Sequence, residues 1–136
     1  MRILAVDLGL ARTGLAISDE SGFLASPVGT VEEKDLAALS EKVVSVARER
    51  QGGEIVVGHP RNMDGTCGES ARRAEAFAND LREKTGLPVR LWDERMTTVS
   101  AIGFLNQNDV RGKKRKAVVD TVSAVIILQN YLDSLS

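Results

Sequence analysis

The stretch Ile3-Leu4-Ala5-Val6-Asp7-Leu8-Gly9-Leu10-Ala11-Arg12-Thr13-Gly14-Leu15-Ala16-Ile17-Ser18 runs four apolar residues into an acid and then turns back through glycine. An unbroken apolar run of that length reads as a buried strand at 3–6, ending on Asp7. Positions 9–14 then form a glycine-bounded turn, and a second strand follows at 15–18. Glu20-Ser21-Gly22 turns the chain again into a third strand at 23–31, where Pro27 marks an edge or a bulge. Three early strands joined by short turns suggest an antiparallel meander.

Beyond residue 32 the period changes. Leu36, Leu39, Val43, Val44 and Ala47 recur at helical spacing, giving an amphipathic helix at 33–50 stopped by Gly52-Gly53. A short apolar strand at 55–57, a loop at 59–68 and a second helix at 69–85, closed by Gly86 and Pro88, come next. A fifth strand at 89–92 ends on Asp93-Glu94. A short helix capped by Thr97 or Thr98 runs to about residue 105, a polar loop covers 106–112, and a final helix occupies 116–132. The order β-β-β-α-β-α-β-α-α describes an α/β protein with a mixed five-stranded sheet flanked by helices, the pattern of a ribonuclease-H-like domain. With 136 residues, the whole of 1–136 reads as a single domain.

Composition excludes several kinds of chemistry. Cys67 is the only cysteine and His59 the only histidine, so disulfide scaffolds and Cys- or His-rich zinc sites are out. A Ser-His-Asp or Cys-His triad would have to use His59. The longest apolar run, 124–128, is far short of a membrane span, and the amino terminus lacks a signal-peptide core. The reading is a soluble, cytoplasmic protein with no membrane partner. Net charge is −1, yet positions 89–116 hold seven basic residues against three acidic ones, a local excess that the total hides.

Three carboxylates stand out on this frame. Asp7 lies where a core strand ends, the place where ligands of open α/β sheets gather, although a turn-capping acid fits there too. Glu94 follows the fifth strand. With Asp93 beside it, alternation lets only one of the two face a cleft, and the pair could equally cap the next helix. Asp120 shares a helical face with Ala124 and Ile127, so it needs a cation, a hydrogen-bond network or a metal, and an ion pair with Lys116 would also serve. An all-oxygen set of Asp7, Glu94 and Asp120 suits Mg²⁺ or Mn²⁺. Two such ions stabilise the attacking and leaving oxygens of in-line phosphodiester cleavage.

Basic residues accompany them. Arg12 lies beside Asp7, Arg95 beside Glu94, and Lys113 and Lys114 belong to a cluster just ahead of Asp120. They could neutralise a phosphate backbone or form a solvated helix start. In the rim loop, Arg61 and Asn62 could touch phosphate or ribose, or belong to a plain turn. His59 reads as a loop donor rather than a base, Cys67 as a small loop residue, and Trp92 as core. Aromatics are too few for a broad base-stacking platform.

Four motifs in one order carry a resemblance. They are Val6-Asp7-Leu8-Gly9 through Arg12-Thr13-Gly14-Leu15-Ala16, then Val57-Gly58-His59-Pro60-Arg61-Asn62-Met63-Asp64-Gly65-Thr66. Asp93-Glu94-Arg95-Met96-Thr97-Thr98 and Val119-Asp120-Thr121-Val122-Ser123-Ala124 follow. The chain resembles the YqgF/RuvX family of Holliday junction resolvases and pre-16S rRNA nucleases over nearly its whole length. The resemblance implies a ribonuclease-H-like fold, acidic site residues at Asp7, Glu94 and Asp120, and metal-dependent nuclease activity. It also implies maturation of the 5′ end of small-subunit ribosomal RNA, with the ribosomal small subunit as a partner. His59 departs from the family's usual leucine, and Ser123 from its common alanine.

Two other functions fit the same residues: a nuclease that resolves branched DNA by paired cuts, and a nucleic-acid-binding factor without chemistry. The first favours a dimer, and no exposed apolar stripe for one is evident. The second sits badly with an acid kept on an apolar helix face. A sugar-kinase or actin-like ATPase is set aside, because those proteins pair two such domains.

Overall fold

The computed structural model describes residues 1–60, 68–93 and 112–135, with side chains from 121 onward in the last segment. Five strands form one sheet: β1 (Arg2–Asp7), β2 (Arg12–Ser18), β3 (Ala25–Glu32), β4 (Gly52–His59) and β5 (Val89–Asp93). Their spatial order is β3-β2-β1-β4-β5. The first three pair antiparallel, while β4 and β5 join β1 in parallel. This is the expected mixed sheet, begun by the expected meander. Pro27 does both things proposed for it: β3 is an edge strand, and its register with β2 slips at Leu15/Ala16, opposite Gly29 and Pro27.

Helices α1 (Leu36–Glu49) and α2 (Glu69–Thr85) pack on one face of the sheet, and α3 (Gly112–Ser134) on the other. Alternation along the strands divides the core accordingly. Leu4, Val6, Leu15, Ile17, Ile55, Val57 and Val89 meet Leu39, Val43, Phe77 and Leu81 of the first two helices. Ile3, Ala5, Ala16 and Val56 meet Ala124, Ile127, Leu128 and Tyr131 of α3.

Several boundaries differ from the sequence reading, each for a local reason. The third strand starts at Ala25 rather than 23, because the Asp19 carboxylate takes the backbone N–H groups of Phe23 and Leu24 into a turn. Helix α1 starts at Leu36 rather than 33, since Asp35 caps it by accepting from the Ala38 N–H at 3.0 Å. Its stop is not glycine. Gln51 adopts the left-handed conformation at φ 59°, with its N–H on the Arg48 carbonyl, and Gly52-Gly53 already belong to β4. Strand β4 is eight residues long and includes His59, so His59 is not a loop residue. Strand β5 runs on to Asp93, and α3 is longer at both ends than 116–132. Helix α2 matches the expected 69–85 and ends on left-handed Gly86. The helix expected at 97–105 and most of the loop expected at 106–112 fall outside the described residues.

At the amino edge of the sheet, the Tyr131 hydroxyl donates to Glu54, a nearly buried carboxylate at the start of β4, and Arg90 lies 3.5 Å from the same oxygen. Burial, reinforced by that carboxylate, pushes the Tyr131 phenol up to about 12. Among the described residues, no helix is long and apolar enough to cross a membrane.

Candidate active site at the carboxyl edge of the sheet

Strands β1, β4 and β5 are parallel, so their carboxyl ends share one edge, and their last residues are Asp7, His59 and Asp93. Asp7 is half-buried on the central strand. It alternates with Ile3 and Ala5, which places it on the α3 side of the sheet. Directly opposite on β2 is Gly14, so the neighbouring strand puts no side chain beside the carboxylate. Arg12 lies two residues along β2 on that same face, about 7–8 Å away in an antiparallel ladder.

The turn that follows Asp7 is unusually tight. A Cβ on Gly9 would stand 1.9 Å from the Arg12 carbonyl oxygen, so only glycine fits there. Thr13 is fully buried, and its Oγ1 accepts weakly from the Gly9 N–H at 3.4 Å. From α2, Arg73 Nη1 donates to the Gly9 carbonyl at 2.8 Å. The Glu33 N–H donates to the Ala11 carbonyl at 3.0 Å on the other limb. An open cleft of about 430 Å³ adjoins the turn, lined by Ala11, Arg12, Glu32, Glu33 and Lys34.

His59 and Asp93 belong to the opposite face. They are register partners on β4 and β5, and alternation aligns them with Ile55, Val57, Val89 and Leu91 on the α1–α2 side. The His59 ring is buried, with Nε2 3.1 Å from Glu75 Oε1 on α2. It is therefore an internal partner of a helix carboxylate. Of the adjacent acids Asp93 and Glu94, Asp93 is turned away from the face that holds Asp7. Trp92 is on the Asp7 side, packed edge-on against Tyr131 at 5.7 Å. It is half-buried rather than fully core.

Helix α3 lies across β1, β2 and β3. Gln129 pins it to the amino edge, accepting from the Ala25 N–H at 3.0 Å and donating to the Phe23 carbonyl at 2.9 Å. Its earlier turns therefore run toward the carboxyl edge. Asp120 is one turn before buried Ala124 on this helix, and Lys113 and Lys114 are in its first turn. Glu94, Arg95, Arg61, Asn62 and Cys67 fall outside the described residues. The described side chains thus supply Asp7 and Arg12 of the expected set, and among them no group of three metal-ligating residues converges. Arg73 was not foreseen, since an arginine on the polar face of a helix carries no signal of a turn distant in sequence.

Comparison with known proteins places this arrangement. The model of the RuvX family, described as Holliday junction resolvase, matches residues 1–134. The chain belongs to the RuvX family. A relative from Lachnospira eligens, named "Putative pre-16S rRNA nuclease", is 43% identical over 137 residues, covering 98% of each chain. A relative from Bacillus cytotoxicus with the same name is 44% identical, covering 98% of this chain and 99% of its own. Among solved structures, Thermus thermophilus RuvC in complex with a Holliday junction substrate superposes with a TM-score of 0.63 at 13% identity, covering 99% of this chain and 95% of the other. The Fowlpox virus resolvase in complex with Holliday junction DNA gives 0.64 at 11% identity over 99% of both chains. These neighbours share the ribonuclease-H-like fold, which this RuvX chain therefore has.

Proposed function

We propose that the chain is a divalent-metal-dependent nuclease that hydrolyses phosphodiester bonds at the 5′ end of pre-16S ribosomal RNA. The observation that carries the reading is Asp7. It is a half-buried carboxylate at the end of the central strand, facing α3, with glycine opposite and a glycine-only turn behind it. Relatives at 39–44% identity over nearly the whole chain are named for pre-16S rRNA, which supports the substrate.

Asp7, Glu94 and Asp120 are the residues that would hold Mg²⁺ or Mn²⁺, hard cations that prefer oxygen donors. When bound, two such ions stabilise the charge that develops on the attacking and leaving oxygens. The direction of α3 supports the convergence. From Gln129 back to Asp120 is about 14 Å of helix, and from Ile3 to Asp7 about 13 Å of strand. Glu94 follows Asp93, so strand alternation favours it over Asp93 for the Asp7 face. Arg12 neutralises substrate phosphate beside Asp7, and Arg61, Asn62, Arg95, Lys113 and Lys114 extend the contact along the backbone. The ribosomal small subunit is the partner and the cytoplasm the compartment of such a step.

A second reading, resolution of branched DNA, is favoured by the family's own description as a Holliday junction resolvase. Both are tested by one assay with labelled RNA spanning the 5′ junction of the precursor and a labelled DNA four-way junction. RNA cleavage that needs Mg²⁺ or Mn²⁺, stops with chelator and is abolished in Asp7→Asn is the expected result. The variant should keep the wild-type melting profile, because it removes charge and little volume. Symmetric paired cuts in the junction, with the RNA intact, would transfer the assignment to DNA. Undiminished cutting by Asp7→Asn would remove Asp7 from the site.

A further inference from the structure

The turn that follows Asp7 has an exposed tip and a glycine at its first bend. Leu10 and Ala11 at its tip are exposed, so no packing fixes them. Gly9, required there by the approach of the Arg12 carbonyl, has the greatest backbone freedom of any residue type. Its own N–H reaches Thr13 Oγ1 only at 3.4 Å, the weak end of the hydrogen-bond range. The limb at Ala11 is tied to the start of the segment after β3. On the limb at Gly9, Leu8 packs partly against the core, and Arg73 reaches in from α2 with Nη1 2.8 Å from the Gly9 carbonyl.

Arg73 is well founded for that task. Ala71 and Ala74 on either side of it are buried against the sheet, so the first turns of α2 form a fixed base. A guanidinium is always charged, and a charge-assisted bond to a carbonyl is stronger than a neutral one. We propose that Arg73 is a positioning residue that sets the Asp7 carboxylate by locking the Gly9 turn from the far side of the sheet. This rests on the reading of Asp7 as a site carboxylate. It also makes α2, on the face away from Asp7, a contributor to the site.

The test uses the full chain with Arg73→Ala, Arg73→Lys and the exposed neighbour Arg72→Ala as a control. In Arg73→Ala, backbone amide exchange at 9–13 should rise about tenfold while β4 keeps its protection. On the RNA substrate, kcat should fall about 10- to 100-fold with KM within roughly twofold, as misplacement of a reacting group predicts. Arg73→Lys should recover part of the loss, and Arg72→Ala should resemble wild type. Unchanged exchange at 9–13 would overturn the proposal, as would a loss confined to KM, which would mark Arg73 as a phosphate contact. The exchange measurement needs no substrate. If the wild type cleaves neither nucleic acid, the nuclease reading fails while exchange still decides whether Arg73 locks the turn.

Discussion

Asp7, Gly9 and Thr13 do three different jobs within one turn: a carboxylate at a strand end, a backbone without a side chain, and a buried hydroxyl behind both. Gly9→Ala tests the middle one. Its methyl would meet a backbone carbonyl, which cannot swing aside as a side chain does, so the turn itself must move. The expected cost is about 2 kcal/mol or more in urea denaturation, together with loss of cleavage. Full stability in that variant would show that the turn is looser than described. The sequence announces Asp7 and Gly9 plainly, because an acid after an apolar run and a glycine after the acid are both local signals. It is silent on Arg73 and Glu75, whose partners Gly9 and His59 are 64 and 16 residues away. His59 itself misleads, since the Gly-His-Pro sequence has the composition of a loop, whereas pairing with β5 keeps it in the strand.

The elements are joined by a few polar contacts whose strength can be measured. Helix α1 ends on Gln51 in the left-handed region, where an L side chain costs about 1–2 kcal/mol. Gln51→Gly should therefore stabilise the protein by up to about 1 kcal/mol once glycine's greater freedom in the unfolded chain is subtracted. Chemical denaturation checks this, and a loss of stability would refute it. Periodicity cannot find such a stop, because it locates the apolar stripe of a helix and says nothing of the residue just past it. Tyr131 fastens α3 to β4 through Glu54. Its folded-state pKa of about 12 exceeds the ordinary 10.0, so the folded protein holds this proton more tightly than the unfolded chain does. The resulting stability is complete below pH 10 and disappears as pH rises toward 12. Urea stability of wild type should thus fall relative to Tyr131→Phe across that window, and parallel curves would contradict it.

Taken whole, the molecule separates support from contact. One sheet face is covered by α1 and α2, the other by α3, and the candidate chemistry is confined to one edge. The layering was legible early, because continuous apolar runs at 3–6 and 55–57 demand cover on both faces. The direction in which α3 crosses the sheet is not legible there, since it is set by contacts such as those of Gln129 with Phe23 and Ala25, more than 100 residues away. If Lys113 and Lys114 at the start of α3 meet the nucleic-acid backbone, replacing both with alanine should weaken RNA binding. The slope of log affinity against log salt should also become shallower, by about 0.7 for each phosphate of a single strand that is no longer neutralised. An unchanged slope would return them to solvent. The position of α3 also bears on how the protein is made. Synthesis delivers the amino end first, and β1, β2 and β3 can pair while the rest is still to come. Ile3, Ala5, Ala16 and Val56 nevertheless stay uncovered until Ala124 to Leu132 have been added. A nascent or truncated chain therefore carries a bare apolar sheet face in place of a finished enzyme. The same late helix that completes the fold is what hides that face.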